Sequence, residues 1–197
     1  MSDFINTVDV LGDDGVCDGI ITKTLTEYSD NHITDIGSYA FYGCSKMTKL
    51  DLPNVTSIDV FAFYGCSALK TVNIPMADSI GNYAFNTAYA IESVNMPMVT
   101  TIGKSAFRQC TKITSIDMPS VTSIDTYAFY NCTALAKVIL RSETMCSLSD
   151  SNVFGSTPIA EGTGFIYVPD ELVETYKLGT NWAIYSEQIK GLSELEE

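Results

Sequence analysis

Positive charge is scarce in this chain. Lys and Arg number 11 against 24 Asp and Glu, a formal net charge of −13. So acidic a chain repels nucleic-acid phosphates and anionic lipid, and it favours a basic or cation-bearing partner. Long apolar runs are missing too. None approaches the roughly 18–20 residues of a membrane span, so no helical insertion is expected. No Lys or Arg precedes Lys23, whereas an export leader of the Sec type needs a basic start and a continuous apolar core. Histidine is nearly absent. His32 stands alone in the polar run Ser29-Asp30-Asn31-His32, which reads as an exposed loop. A Ser/His/Asp site needs a base held beside a nucleophile, and nothing here marks one. Gly-rich phosphate loops, HExxH and paired-Cys zinc spacings are also missing. The expectation is a non-catalytic protein with no cofactor and no metal.

What the chain does have is internal repetition. Five segments align without gaps, beginning at Ile36, Ile58, Ile80, Ile102 and Ile124, a period of 22 residues. The first half of each reads Ile-(Gly/Asp)-x-x-Ala-Phe-x-x-Cys. Ala62, Phe63, Cys66 and Leu69 fall on one helical face, which predicts a short helix or 3₁₀ turn. The second half reads Leu-x-x-Val-x-Ile-Pro. Val72 and Ile74 alternate with Thr71 and Asn73, the period of a half-buried strand. Pro75 ends the pairing, having no N–H to donate.

A unit this small cannot bury its own apolar face, but a stack of units can. Stacking predicts an aromatic spine of Phe41, Phe63, Phe85, Phe107 and Phe129. It predicts a second wall of Leu50/Leu52, Val72/Ile74, Val94/Met96, Ile116/Met118 and Val138/Leu140. Four of the six cysteines, Cys44, Cys66, Cys110 and Cys132, share one repeat position, which Ala88 fills in the third copy. A position that accepts Cys or Ala is a small buried slot. Neighbouring rungs do not bring thiols to disulfide geometry, so free buried thiols are expected.

The repeats, 36–140 with the last one partial, are flanked by two segments. Residues 1–35 read as an N-terminal cap: Phe4, Ile5, Val8 and Leu11 have helical spacing behind Ser2, Val16, Cys17, Ile20 and Ile21 repeat it, and 25–28 supply a first strand. Residues 141–197 read as a degenerate repeat, with Phe154 at the spine position, followed by a helical cap. There Asp170 is placed to cap a helix carrying Leu172, Val173 and Tyr176. Asn181 is placed to cap a second, carrying Trp182, Tyr185 and Ile189 and ended by Gly191.

The unit Ile-Gly-x-x-Ala-Phe-x-x-Cys-x-x-Leu-x-x-Val-x-Ile-Pro resembles the BspA-like, or Treponema pallidum type, leucine-rich repeat over about residues 30–140. The ending, from Thr157-Pro158-Ile159 through Tyr167-Val168-Pro169 to Asn181-Trp182, is similar to the terminal segment of such proteins in gut Firmicutes and their prophages. The resemblance implies an α/β repeat fold. This is a right-handed solenoid with a parallel sheet on one face, short helical or irregular segments on the other, and helical caps at both ends. It also implies association with bacterial surfaces, host adhesion or phage particles. It carries no catalytic motif, so no functional residue transfers. The missing leader makes a cytoplasmic or phage-released protein the expectation, with a surface or secreted location open to a longer chain.

Binding of a protein or a glycan is then the leading expectation, and a structural component of a phage or prophage particle the alternative. The outward strand positions are Lys49/Asp51, Thr71/Asn73, Ser93/Asn95, Ser115/Asp117 and Lys137/Ile139. Register places Asp51 beside Asn73 and Asn95 beside Asp117. Such rows suit a peptide, a glycan or an oxygen-liganded cation, or simply bond to one another in water. The candidate ligand-facing residues are Asp51, Thr71, Asn73, Ser93, Asn95, Ser115 and Asp117, with Met76 and Met98 beside them as either adaptable contacts or core. Tyr39, Phe61, Tyr83 and Tyr127 precede the Ala, and Tyr42, Tyr64 and Tyr130 follow the spine Phe. Rings at fixed spacing pack together or, if exposed, stack on sugars or on another copy.

Overall fold

The computed structural model describes residues 25–195. The helical expectation for residues 1–24 lies outside them. The described chain forms a parallel β-solenoid of about eight turns. In chain order its strands are β1 (Glu27–Ser29), β2 (Asp35–Ile36), β3 (Lys49–Asp51), β4 (Ser57–Ile58), β5 (Thr71–Asn73), β6 (Ser79–Ile80) and β7 (Ser93–Asn95). There follow β8 (Thr101–Ile102), β9 (Ser115–Met118), β10 (Ser123–Ile124), β11 (Lys137–Leu140), β12 (Ser147–Leu148), β13 (Phe165–Val168) and β14 (Ile189–Gly191). Each rung thus contributes a longer strand, then a two-residue strand, then a turn.

The two-residue strands form one continuous ladder of six, β2 through β12. Every second residue of it up to β10, Ile36, Ile58, Ile80, Ile102 and Ile124, points into the core. The longer strands form two ladders, β1-β3-β5-β7 and β9-β11-β13-β14. Register follows the repeat: Leu50 lies opposite Val72, and Val72 opposite Val94. The inward strand residues are buried as the alternation predicts, except that Val94, beside the break between β7 and β9, is only half-buried.

The Ala-Phe-x-x-Cys half is irregular rather than helical, and its hydrogen bonds show why. Ala40, Tyr42 and Cys44 donate back three residues, to Gly37, Tyr39 and Phe41. The alternate amides of Tyr39, Phe41 and Gly43 donate instead to Val60, Ala62 and Tyr64 of the next rung, at 3.1, 2.7 and 2.7 Å. A helix would turn all its amides along its own axis and leave none for the neighbour. The alternation needs two left-handed residues per rung. One is Tyr39, Phe61, Tyr83, Ser105 or Tyr127, with φ between 53° and 62°. The other is Gly43, Gly65, Thr87, Gln109 or Asn131. The apolar spacing read as helical is therefore the spacing of a coiled circumference.

The spine is built as the stacking argument requires. Phe41, Phe63, Phe85, Phe107 and Phe129 stack nearly parallel at 5.0, 5.1, 5.2 and 5.4 Å, and Phe154 extends them at 5.7 Å. The five described cysteines are buried, and none is joined in a disulfide. Cys66, Cys110 and Cys132 donate Sγ–H to the carbonyls of Phe41, Phe85 and Phe107 in the preceding rung. Burial pushes the thiols of Cys132 and Cys146 up to about 12.

The C-terminal end differs from its sequence reading in detail. One short helix, α1 (Val173–Leu178), is present, preceded by a 3₁₀ turn at Asp170–Leu172 and followed by another at Ala183–Gln188. Asp170 caps neither; its carboxylate accepts from the amide and hydroxyl of Ser193. Asn181 is left-handed and donates to the Leu148 carbonyl at 2.8 Å. Ile189–Gly191 is not a helix end but the strand β14, because the outer edge of β13 leaves unpaired groups that a strand satisfies. Trp182 is fully buried against Tyr176 and Phe154, with Nε1–H donating to the Cys146 carbonyl at 2.7 Å.

Candidate binding faces

The solenoid presents three long faces. The longer strands carry all seven polar candidates. Thr71, Ser93, Asn95, Ser115 and Asp117 are exposed, and Asp51 and Asn73 are half-buried. Asn73 Nδ2 donates to Asp51 Oδ1 at 2.7 Å, and Asn95 Nδ2 to Asn73 Oδ1 at 2.6 Å. The row ends there. Asp117 takes no bond from Asn95, because the strands that carry them, β7 and β9, are not paired. It instead holds Arg141 by a bidentate contact at 2.9–3.1 Å. Beyond it the outward positions turn apolar: Ile139 and Tyr167 are paired and buried, and Lys190 lies 4.0 Å over the Phe165 ring. The polar face therefore occupies the N-terminal rungs and is closed at the other end. Among the described residues no cluster of three or more metal-ligating side chains forms on it.

Met76 and Met98 flank that face. They follow Pro75 and Pro97 on adjacent rungs, and they are 52% and 53% exposed, on the surface rather than in the core. Two features the sequence reading passed over lie on the other faces. A shallow groove of 530 Å³ runs along the two-residue ladder, lined by Ser57, Ser79, Thr101 and Ser123 and edged by Asp35, Asp59 and Asp125. Hydrogen bonds from Ser57 and Thr34 hold the Asp35 carboxyl below the usual aspartate range. The signal was present in the alignment, where Ser or Thr precedes the Ile of each later copy. The second feature is a notch of 410 Å³ on the turn face, at the fourth rung. Its signal was also present, since Ser105 stands where the other copies have Tyr or Phe.

The turn face carries an outer aromatic ladder. Tyr39, Phe61 and Tyr83 stack at 5.1 and 4.8 Å, and Tyr42 stacks on Tyr64 at 5.1 Å. The rings sit partly in solvent, with Tyr39 and Tyr42 38% and 46% exposed. Among the described residues no helix is long and apolar enough to cross a membrane.

Comparison with known proteins fits this geometry. A leucine rich cell surface protein from Faecalibacterium prausnitzii is 35% identical over 61% of the chain, with a TM-score of 0.56. A leucine-rich repeat protein from Bacteroides ovatus shares the fold over 86% of the chain at 22% identity, with a TM-score of 0.69. The T. pallidum leucine rich repeat protein shares it over 81% at 17% identity, with a TM-score of 0.51. The chain spans only 34% and 43% of the first two proteins, and 85% of the third. No curated protein matches the sequence. Leucine-rich repeat proteins are generally protein-binding scaffolds rather than enzymes. The sequence matches the BspA type leucine-rich repeat region in six copies over residues 34–160, and the chain belongs to that family.

Proposed function

We propose that this chain is a binding module that takes a protein partner on the longer-strand face and its methionine edge, in a cell-surface setting. The observation that carries the reading is the contrast on that face. Its inward residues are fixed by burial, while Thr71, Ser93, Asn95 and Ser115 face solvent beside two exposed methionines. A rigid strand array with exchangeable outward side chains suits recognition, and Met supplies adaptable apolar contact. The net charge of −13 favours a partner with a basic patch. The surface setting is supported by the Faecalibacterium relative, whose description is that of a cell surface protein.

The test is capture from bacterial and host surface extracts by the immobilised chain. The comparison is with a variant carrying Asn73→Ala, Asn95→Ala, Met76→Ala and Met98→Ala. The expected result is a partner retained by the native chain and lost by the variant at nearly unchanged melting temperature. Equal capture by both would remove this face.

A further inference from the structure

The outer aromatic ladder has one vacancy. At the repeat position occupied by Tyr39, Phe61, Tyr83 and Tyr127, the fourth rung has Ser105. The backbone there is the same: Ser105 has φ 53° and its neighbours Tyr83 and Tyr127 both 59°. The inner spine also passes unbroken beneath it, with Phe107 stacked on both neighbours. The ring is missing, Ser105 itself is only 3% exposed, and a notch of 410 Å³ opens beside it, lined by Tyr83, Lys104, Ser105, Arg108, Tyr127 and Tyr130. That volume lies within the range of small-molecule pockets.

Two dimensions define what fits. Adjacent rings of this ladder stack at 4.8–5.1 Å. Tyr83 and Tyr127 are two rungs apart, about 10 Å at the usual strand spacing. One flat ring inserted between them lies about 5 Å from each, within the range of stacked or edge-to-face contact; Tyr127 itself stands edge-on to Tyr130, at 5.3 Å and 89°. In complete rungs the ring at this position also touches the side chain three residues on, as Tyr39 touches Tyr42 at 5.8 Å and Phe61 touches Tyr64 at 5.6 Å. In the fourth rung that side chain is Arg108.

Charge supplies the rest. The chain has two arginines. Arg141 is bound by Asp117. Arg108 has no carboxylate within ion-pair distance among the described residues, and its guanidinium lies 5.7 Å over the Tyr130 ring. Lys104 also lines the notch. A chain with net charge −13 thus places two cations beside the gap in its aromatic ladder. A guanidinium held on an aromatic face keeps its in-plane N–H donors free for a carboxylate.

We propose that this notch binds a planar aromatic ring carrying an anionic group, supplied by a free aromatic acid or by the C-terminal aromatic residue of a peptide. The ring takes the empty rung between Tyr83 and Tyr127, and the anion meets Arg108 and Lys104. This site is separate from the longer-strand face and stands or falls independently of it.

The experiment titrates the full chain with 3-phenylpropanoate, with its uncharged amide, and with a Gly-Ser-Gly-Phe peptide bearing a free C-terminus, read by calorimetry and tyrosine-ring NMR. One ring and one charge-assisted contact correspond to a Kd of about 1 mM, with the amide at least about tenfold weaker. Ser105→Tyr supplies the ring that neighbouring rungs carry at the same backbone angle, so the variant keeps or gains melting temperature and loses all binding. Arg108→Gln brings the acid down to the affinity of the amide. Tighter binding of 3-phenylpropanoate identifies a free acid as the source, and tighter binding of the peptide identifies a chain terminus. The proposal is overturned if neither saturates, if acid and amide bind alike, or if Ser105→Tyr leaves binding intact.

Discussion

The inner phenylalanine column and the outer aromatic ladder use the same kind of ring at the same axial spacing, on opposite sides of one stretch of backbone. The inner column runs unbroken from Phe41 to Phe154. The outer ladder stops at Ser105 and resumes at Tyr127. Burial explains the difference. Phe63, Phe85, Phe107 and Phe129 are fully buried, so a gap there leaves a cavity that its surroundings close only in part. Tyr39, Tyr42 and Tyr127 keep more than a third of their surface in water, so a missing ring costs its stacking contacts on two neighbours and leaves a notch at the surface. The repeat is enforced where it is inside and is free to depart where it is outside.

The sharpest break of that comparison is a pair of truncations. Phe63→Ala should cost about 3–5 kcal/mol in urea unfolding. A loss below about 1 kcal/mol would show that the column is not the core. The buried side should also set the alkaline limit. Burial raises the thiols of Cys132 and Cys146 from 9.0 to about 12, and the phenols of Tyr176 and Tyr185 from 10.0 to about 12. The folded state therefore holds protons that the unfolded state releases. These groups should leave stability unchanged up to about pH 9 and lower it as pH rises toward 12. Unchanged unfolding midpoints between about pH 8 and 11 would contradict the burial of these groups.

Effects on the outside should be smaller. Tyr64→Ala should cost only about 0.5–1.5 kcal/mol. A loss as large as that of Phe63→Ala would erase the distinction between the two columns. The smallest predicted change is a gain. Thr87 is β-branched and left-handed, at φ 61°, where the first two copies have Gly43 and Gly65. Thr87→Gly should stabilise by up to about 1 kcal/mol, read as a raised melting temperature. A clear loss would show that the Thr87 hydroxyl bond to the Asn86 carbonyl outweighs the backbone strain.

Much of this was legible before the structure. The 22-residue period exposes the spine, and Ala88 among the cysteines marks a small buried slot. What stayed hidden depends on interactions that periodicity does not encode. Apolar spacing around a coil of this circumference imitates a helix, so the turn segment read as a short helix or 3₁₀ turn, of which the structure keeps only the bonds back three residues. Left-handed tyrosines run against local preference, and only bonds to the next rung make Tyr39 or Tyr83 adopt that conformation. The Asn95–Asp117 partnership followed from register alone and failed where β7 and β9 separate, with Arg141 taking Asp117 instead. Ile189 satisfies helical spacing and strand pairing equally, and the open edge of β13 decides for the strand. At the candidate sites, the exposure of Met76 and Met98 could not be read from composition. The Ser105 vacancy was visible in the alignment, yet it acquires meaning only when the flanking rings are known to stack.

The alternation of amides in each turn has a mechanical consequence. Every second N–H of the turn face bonds only to the adjacent rung, and so do the strands on the other two faces. Pulled along its axis, such a coil carries the load from rung to rung, because the backbone hydrogen bonds between turns of the described residues join adjacent rungs. It should open one turn at a time, each event within the repeats freeing 22 residues, roughly 70 Å of extended chain, and the longer C-terminal turns, such as that from Lys137 to Phe165, freeing more. The molecule would behave under tension as a stepwise tether, lengthening in equal steps through its repeats while the rungs still closed keep their faces intact.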